Sequence, residues 1–234
     1  MTGLLIVGAW FVAGYLAGSI PFGWLIGKMR GVDIREHGSR NIGATNCGRV
    51  CGWPWGVLAF ALDVAKGFVP VFTATLWLPD LVGGPFYGTV FENTGARWVI
   101  VLLVTLTAVG PILGHTLPVW LKFRGGKAVA TSLGVLLGMP ILWGVALAAL
   151  GIWVVVVLAT GYVSVASSVA AIALGAVYLY AQRDLAWGEN VAVTVFVLLL
   201  VVLVLVRHGS NYRRLLQGTE NRIWGKKRSK ADGA

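Results

Sequence analysis

Charge is scarce in this chain of 234 residues: Asp, Glu, Lys and Arg make up 12%, against roughly a quarter in a soluble domain. Hydrophobic residues reach 57% and the mean hydropathy is +0.80, which excludes a soluble globular protein and indicates a polytopic membrane protein. Cysteine is nearly absent. Cys47 and Cys51 cannot build a disulfide framework, and with His37 as their near neighbour they fall short of a tetrahedral zinc set. Acids are few as well, and those on the basic side of the membrane are Asp33, Glu36, Glu220 and Asp232. Only Asp33 and Glu36 have helical ligand spacing, and they read better as partners of Arg35 or helix caps. A phosphotransferase with paired aspartates and Mg²⁺ is therefore disfavoured, and no metal or other cofactor is expected. The first apolar run has no basic residues ahead of it and outlasts a leader's apolar segment, so no cleaved leader is expected.

Long apolar runs are what the chain does have. Residues 4–26 form the first, with Gly14, Gly18, Gly23 and Gly27 set for close approach to a neighbouring helix and Pro21 expected to kink it. Residues 53–78 form the second and carry Asp63 and Lys66 one turn apart, able to pair inside the bilayer as a functional element or a structural pin. Residues 97–119 form the third. The stretch 128–158 is about 31 residues, long for one span and short for two, and Pro140 divides it. Runs at 163–180 and 187–206 follow, then a strongly basic tail.

Charge distribution settles the count. If the basic connections after the first and third runs share the cytoplasmic side, a single crossing over 128–158 sends the basic tail outside; two crossings return it. The expectation is an all-α polytopic integral membrane protein of seven transmembrane helices. One helix is short, the N-terminus is out and the C-terminus in, and the loops at 79–96 and 182–189 are outside. Residues 1–224 form one domain and 225–234 a basic cytoplasmic tail.

That topology gathers three loops of similar character on one side, with the small turn Thr160–Ser164 beside them. The first runs from His37 to Asn46 and closes at Arg49; its glycines allow turns that aim several N–H groups at one anion, and Arg49 adds charge. In the second, Gly125-Gly126-Lys127 opens a helix, where N–H groups, dipole and ammonium favour an anion. It is no nucleotide P-loop, since Leu121 holds the first glycine position and Ala128 follows the lysine. In the third, His208 and Asn211 share a helical face, while Arg213 and Arg214 are simply explained by lipid headgroups. All three histidines, His37, His115 and His208, fall on this side. A His-x-x-x-x-Asp pair is absent, since Ile42, Trp120 and Arg213 lie five residues after them. With no evident general base, the site suits an already activated donor and catalysis by positioning and charge. An anion carrier is the alternative, against which no internal repeat is visible and the polar motifs sit at one surface.

Three ordered motifs resemble the bacterial acyl-phosphate:glycerol-3-phosphate acyltransferases, the PlsY family. Gly18-Ser19-Ile20-Pro21-Phe22-Gly23 leads to Gly38-Ser39-x-Asn41-x-Gly43-Ala44-Thr45-Asn46-x-x-Arg49. Gly114-His115-x-x-Pro118-Val119-Trp120-Leu121-x-Phe123-x-Gly125-Gly126-Lys127 is the second motif. Arg207-His208-x-x-Asn211 with Gly218-Thr219-Glu220-Asn221-Arg222 is the third, and Leu62-Asp63-x-x-Lys66-Gly67 is similar too. The match spans about Gly14 to Trp224.

The resemblance implies transfer of a fatty acyl group from acyl-phosphate to the 1-hydroxyl of glycerol 3-phosphate. The products would be lysophosphatidic acid and phosphate, in the first step of phospholipid synthesis, at the bacterial inner membrane with the site facing the cytoplasm. It implies no metal, no cofactor and no nucleic-acid partner; the partners are the two substrates, membrane lipids and, as a candidate, the enzyme supplying acyl-phosphate. By motif, Ser39, Arg49 and Lys127 are the catalytic residues. Ser39 and Arg49 with nearby amides hold the donor's phosphate, and Lys127, His208 and Asn211 hold glycerol 3-phosphate. Gly38, Asn41, Gly43, Thr45, Asn46, His115, Gly125, Gly126 and Glu220 complete the substrate site, with Ser164 or Ser167 from the fourth turn. Asn41, Thr45 and Asn46 read equally well as supports of their loop, and Glu220 as the partner of a loop arginine. Two departures concern glycine: Arg40 and Ala128 stand where the family commonly has it. Thr116-Leu117 replaces a pair that usually contains an aromatic residue.

Overall fold

A computed structural model describes residues 2–81 and 94–224 of the chain; most of the expected 79–96 loop and the tail 225–234 lie outside the described residues. The described residues are all-helical: α1 Thr2–Ser19, α2 Phe22–Met29, α3 Ala44–Cys51, α4 Trp53–Leu81, α5 Thr94–Thr116, α6 Val129–Gly138, α7 Trp143–Thr160, α8 Val163–Ala181, α9 Val191–Arg207 and α10 Gly209–Leu216. Five spans are long and apolar enough to cross a membrane. They are Leu5–Met29, Trp53–Leu78, Val99–Leu121, Pro140–Thr160 and Val163–Ala181, and α9 with α10 makes a sixth bent by 45°. The protein is thus a multi-pass membrane protein. At ten residues α6 is about 15 Å long, half a hydrocarbon core of about 30 Å, and Pro140 begins the short 3₁₀ turn that separates it from α7.

Pro21 does more than kink the first run. It lacks an N–H and its ring crowds the preceding turn, so α1 ends at Ser19 and α2 begins at Phe22. The break is tolerated because Lys66 Nζ reaches across from α4 and donates to the Ile20 carbonyl at 2.7 Å.

Without a hydrophobic drive between helices in lipid, close backbone approach supplies the packing. A Cβ added at Gly14 would lie 2.9 Å from the Pro111 ring of α5, and one at Gly110 would lie 3.1 Å from the Tyr15 backbone, so α1 and α5 meet glycine to backbone. Gly23 and Gly27 belong to a different contact, facing Ile42 and Ile34. The short α6 seats on α4 in the same way, with Gly67 against Thr131 and Gly134 against Val64 and Phe68. Behind these contacts Val71, Leu78, Val104, Val135, Leu142, Val193 and Val197 are buried, while Val57, Val155, Leu158, Leu199 and Val206 face outward, as lipid permits. The ends of α2, α5, α7 and α9 and their connections come together at one end of the bundle.

Gly134→Ala would press a methyl into the Val64 carbonyl oxygen and set it 2.9 Å from the Phe68 nitrogen. It is expected to cost about 1–3 kcal/mol, seen as a lower unfolding temperature in detergent. Gly144→Ala meets nothing within 4 Å and is expected to leave that temperature unchanged or slightly raised.

Candidate active site

Asn46 organises the first loop. Buried at the start of α3, its amide nitrogen donates to the carbonyls of Ile34 (2.8 Å), Asn41 (2.9 Å) and His37 (3.2 Å), and its oxygen accepts the Ser39 N–H at 2.8 Å. Asn41 likewise accepts the Gly43 N–H at 2.8 Å. Both amides thus support the loop, and Asn41, Gly43 and Asn46 are also among the residues that line the cavity. Gly38 takes φ +59°, which glycine adopts freely, and Arg40 takes the same φ at the strain cost of a side chain. Ser39, Thr45 and Arg49 line a cavity at this end of the bundle; His37 is exposed and does not. Arg49 Nη2 donates to the Asn221 carbonyl at 3.2 Å, and its buried Nε has no hydrogen-bond partner among the described residues. Burial lowers the pKa of Arg49, against the pull of Glu220.

The second loop is clamped rather than open. The Gly126 N–H goes to the His115 carbonyl at 3.0 Å, and Arg207 donates to the carbonyls of Gly125 (2.9 Å) and Gly126 (3.1 Å). Gly125 and Gly126, expected to offer N–H groups to substrate, are not among the residues lining the cavity, and an added Cβ at Gly126 would run into Nε2 of the His115 ring. Lys127 follows, and Ala128 sits at φ +59° before α6 begins at Val129, so the lysine precedes the helix rather than opening it. Both positions where a glycine is exchanged, Arg40 and Ala128, are thus left-handed. Lys127 Nζ donates to the Asn211 side-chain oxygen. Burial pushes its pKa down to about 8, with Glu220 opposing and Arg214, Arg49 and Arg207 reinforcing the shift.

Glu220 gathers the remaining elements. Its carboxylate accepts from Asn211 Nδ2 at 2.6 Å, Ser164 Oγ at 3.1 Å and Arg214 Nε at 2.7 Å. The expected arginine partner is therefore Arg214, which points inward instead of toward lipid headgroups. Ser164 joins this network; Ser167 accepts from Trp153 Nε1 at 3.1 Å, and both serines face the cavity. His208, buried at the bend between α9 and α10, donates Nδ1–H to the Val204 carbonyl at 2.7 Å, which leaves Nε2 for the cavity it lines. The Ile223 N–H to the Gly161 carbonyl (2.8 Å) and Arg222 over the Tyr162 ring (5.0 Å) tie the last segment to the α7–α8 turn.

These elements bound a cavity of about 410 Å³. One part carries Ser39, Arg49, Lys127, Ser164, His208 and Asn211; the rest, between α6, α7, α8 and α9, carries Leu133, Leu136, Leu150, Trp153, Leu174 and Leu200. His115 and Glu220 also line it. Sequence reasoning missed Arg207 and Arg214 as working residues, since a base beside a span looks the same whether it faces lipid or protein. It missed Ser132 too, whose buried hydroxyl faces the cavity wall and has no hydrogen-bond partner among the described residues.

A cationic pocket continuous with an apolar one, inside a membrane bundle, defines a protein that handles an anionic headgroup together with an acyl chain. Residues 8–218 match the family model described as glycerol-3-phosphate acyltransferase. The glycerol-3-phosphate acyltransferase of Acaryochloris marina is 41% identical over 98% of this chain and 97% of its own length; that of Gloeobacter violaceus is 43% identical over 94% and 95%. Among solved structures, PlsY, an integral membrane glycerol 3-phosphate acyltransferase in its glycerol 3-phosphate form, superposes with a TM-score of 0.75. It is 35% identical and the match covers 96% of both chains; the lysophosphatidic acid form gives 0.72. The chain belongs to the glycerol-3-phosphate acyltransferase family.

Glu220→Ala removes an acceptor shared by Ser164, Asn211 and Arg214. It is expected to cost about 2–3 kcal/mol in thermal unfolding of the purified protein, and Glu220→Gln, which keeps an acceptor oxygen, less.

Proposed function

We propose that the cavity seats the phosphates of an acyl-phosphate and of glycerol 3-phosphate side by side and passes the acyl group between them. The reaction is acylation of glycerol 3-phosphate to lysophosphatidic acid. One observation carries the choice of donor: Arg49 and Lys127 face one cavity, and their hydrogen-bond acceptors, the Asn221 carbonyl and the Asn211 amide, are both neutral. Two cations held by neutral acceptors suit two phosphates. Arg49 with Ser39 and Thr45 holds the donor's phosphate. Lys127, with His208, Asn211 and Ser164, holds that of the acceptor. The acyl chain lies along Leu133, Leu136 and Leu174, in a groove between helices beside α6.

The acceptor's 1-hydroxyl oxygen attacks the acyl carbonyl carbon; the new C–O ester bond forms as the bond from that carbon to the donor phosphate's oxygen breaks. Inorganic phosphate leaves with the electron pair, and a phosphate oxygen takes the hydroxyl proton, so no protein base is required. Arg49 steadies the charge gathering on the leaving phosphate. Phosphate is already a good leaving group, so orientation carries much of the rate.

The same reading makes residues 1–224 one catalytic domain and 225–234 a basic tail, crossing the bacterial inner membrane seven times with α6 as the short member. The N-terminus is out, and the site and C-terminus are cytoplasmic, near the enzyme that supplies acyl-phosphate. The basic loops gathered around the cavity support that orientation.

Purified protein is expected to turn over labelled glycerol 3-phosphate with palmitoyl-phosphate and without added metal, and to lose turnover in Lys127→Ala. Turnover with palmitoyl-CoA instead would overturn the donor. Lys127 also sets a pH dependence. Its ammonium is present below about 8 and lost above, so kcat/KM for glycerol 3-phosphate is expected to fall as pH rises through about 8. Lys127→Arg is expected to flatten that limb, because guanidinium stays charged there.

A further inference from the structure

A group of buried polar side chains connects the supports of the two loops. Asp63 and Lys66, each 3% exposed, meet at 2.7 Å on α4. Lys66 reaches the Ile20 carbonyl at the α1–α2 break and lies 5.6 Å from the Phe22 ring at the start of α2. One residue on, Gly23 rests on the Ile42 backbone, so α2 underlies the loop that ends in Arg49. In the other direction, Asp63 Oδ1 is 3.8 Å from His115 Nδ1, and the same nitrogen shares a hydrogen bond of 3.1 Å with Thr131 Oγ1. The far edge of the His115 ring packs on Gly126, and the His115 carbonyl takes the Gly126 N–H, one residue before Lys127.

Withdrawing two charges from water is costly, and replacing such a pair by apolar side chains is often neutral or favourable to stability. Stability alone therefore gives little reason for Asp63 and Lys66 to be here. Geometry gives one: the carboxylate pairs with Lys66 beneath one loop and lies beside His115 beneath the other, at 3.8 Å and without a hydrogen bond.

We propose that Asp63 is a positioning residue for both substrates, acting through His115 on the Lys127 loop and through Lys66 on the Arg49 loop. The proposal rests on the assignment of Lys127 to the acceptor's phosphate and Arg49 to the donor's. His115, expected to bind substrate, is in this account the support of the Gly125–Gly126 turn.

The test is steady-state kinetics of the full-length protein in lipid, varying each substrate in turn. Lys66→Met is expected to raise the KM for acyl-phosphate about fivefold or more and leave that for glycerol 3-phosphate within about twofold, with Lys66→Arg restoring the donor value. Thr131→Val, nearly isosteric, removes the hydroxyl that holds His115 and is expected to raise the glycerol 3-phosphate KM about threefold with the donor KM unmoved. Asp63→Asn raises both; should it fail to fold, Thr131→Val and Lys66→Met still decide. Variants that lower kcat while leaving both KM values at wild type would overturn the proposal, since that is what loss of folded protein alone produces. Lys127→Ala separates the two layers through equilibrium binding of labelled glycerol 3-phosphate: if that binding is unchanged, the ligand assignment falls and the proposal with it. If it weakens while Thr131→Val and Asp63→Asn leave the acceptor KM at wild type, the linkage alone falls.

Discussion

Positive charge withdrawn from water is the constraint on which the functional end of this protein depends. Arg49, Lys127, Arg207 and Arg214 converge there, and three of them lower the pKa of the fourth, Lys127. Each is held by acceptors from another part of the chain: Arg49 by the backbone of Asn221, Lys127 by the Asn211 amide, Arg207 by the Gly125 and Gly126 carbonyls, and Arg214 by Glu220. The Gly125–Gly126 turn and the segment at Asn221 accordingly present backbone carbonyls to these cations. With Glu220 already shared among Arg214, Asn211 and Ser164, the ensemble is short of negative charge.

The helical framework was largely legible because lipid imposes a plain rule: long apolar runs, interrupted only where protein covers the break. Pro140 accordingly separates a ten-residue helix from a full one, at the point where the sequence places the division. Pro21 was read as a kink and is a break, because the sequence does not reveal that Lys66, 46 residues on, will satisfy the freed Ile20 carbonyl. In the site, residue types pointed to an anion but not to the direction of each group. Gly125 and Gly126 looked like N–H donors; their path turns one N–H onto His115 and both carbonyls onto Arg207. Arg214 looked like a lipid contact for want of any signal of rotation about α10. The exchanges at Arg40 and Ala128 were visible as residues, while the left-handed backbone that gives them a cost was not.

Helix packing and charge placement are one problem here. Glycine contacts bring α1 to α5 and α6 to α4 at backbone distance, and Lys66 and His115 sit on the two helices, α4 and α5, that receive them. A small shift at either seam moves a loop carrying a cation, since the polar contacts are short and the intervening elements are packed rather than flexible.

The cavity's two walls place the chemistry at a phase boundary. An acyl donor belongs to the bilayer and a sugar-sized phosphate to water, so their supply is measured in different units: mole fraction in the leaflet for one, bulk molarity for the other. Adding inert lipid dilutes the first without touching the second. In the proposed reaction the products separate in the same manner, a single-chain amphiphile diffusing laterally among lipids and inorganic phosphate escaping into solution. Reversal would require the same meeting across that boundary as the forward reaction, so each direction depends on one supply in the leaflet and another in solution.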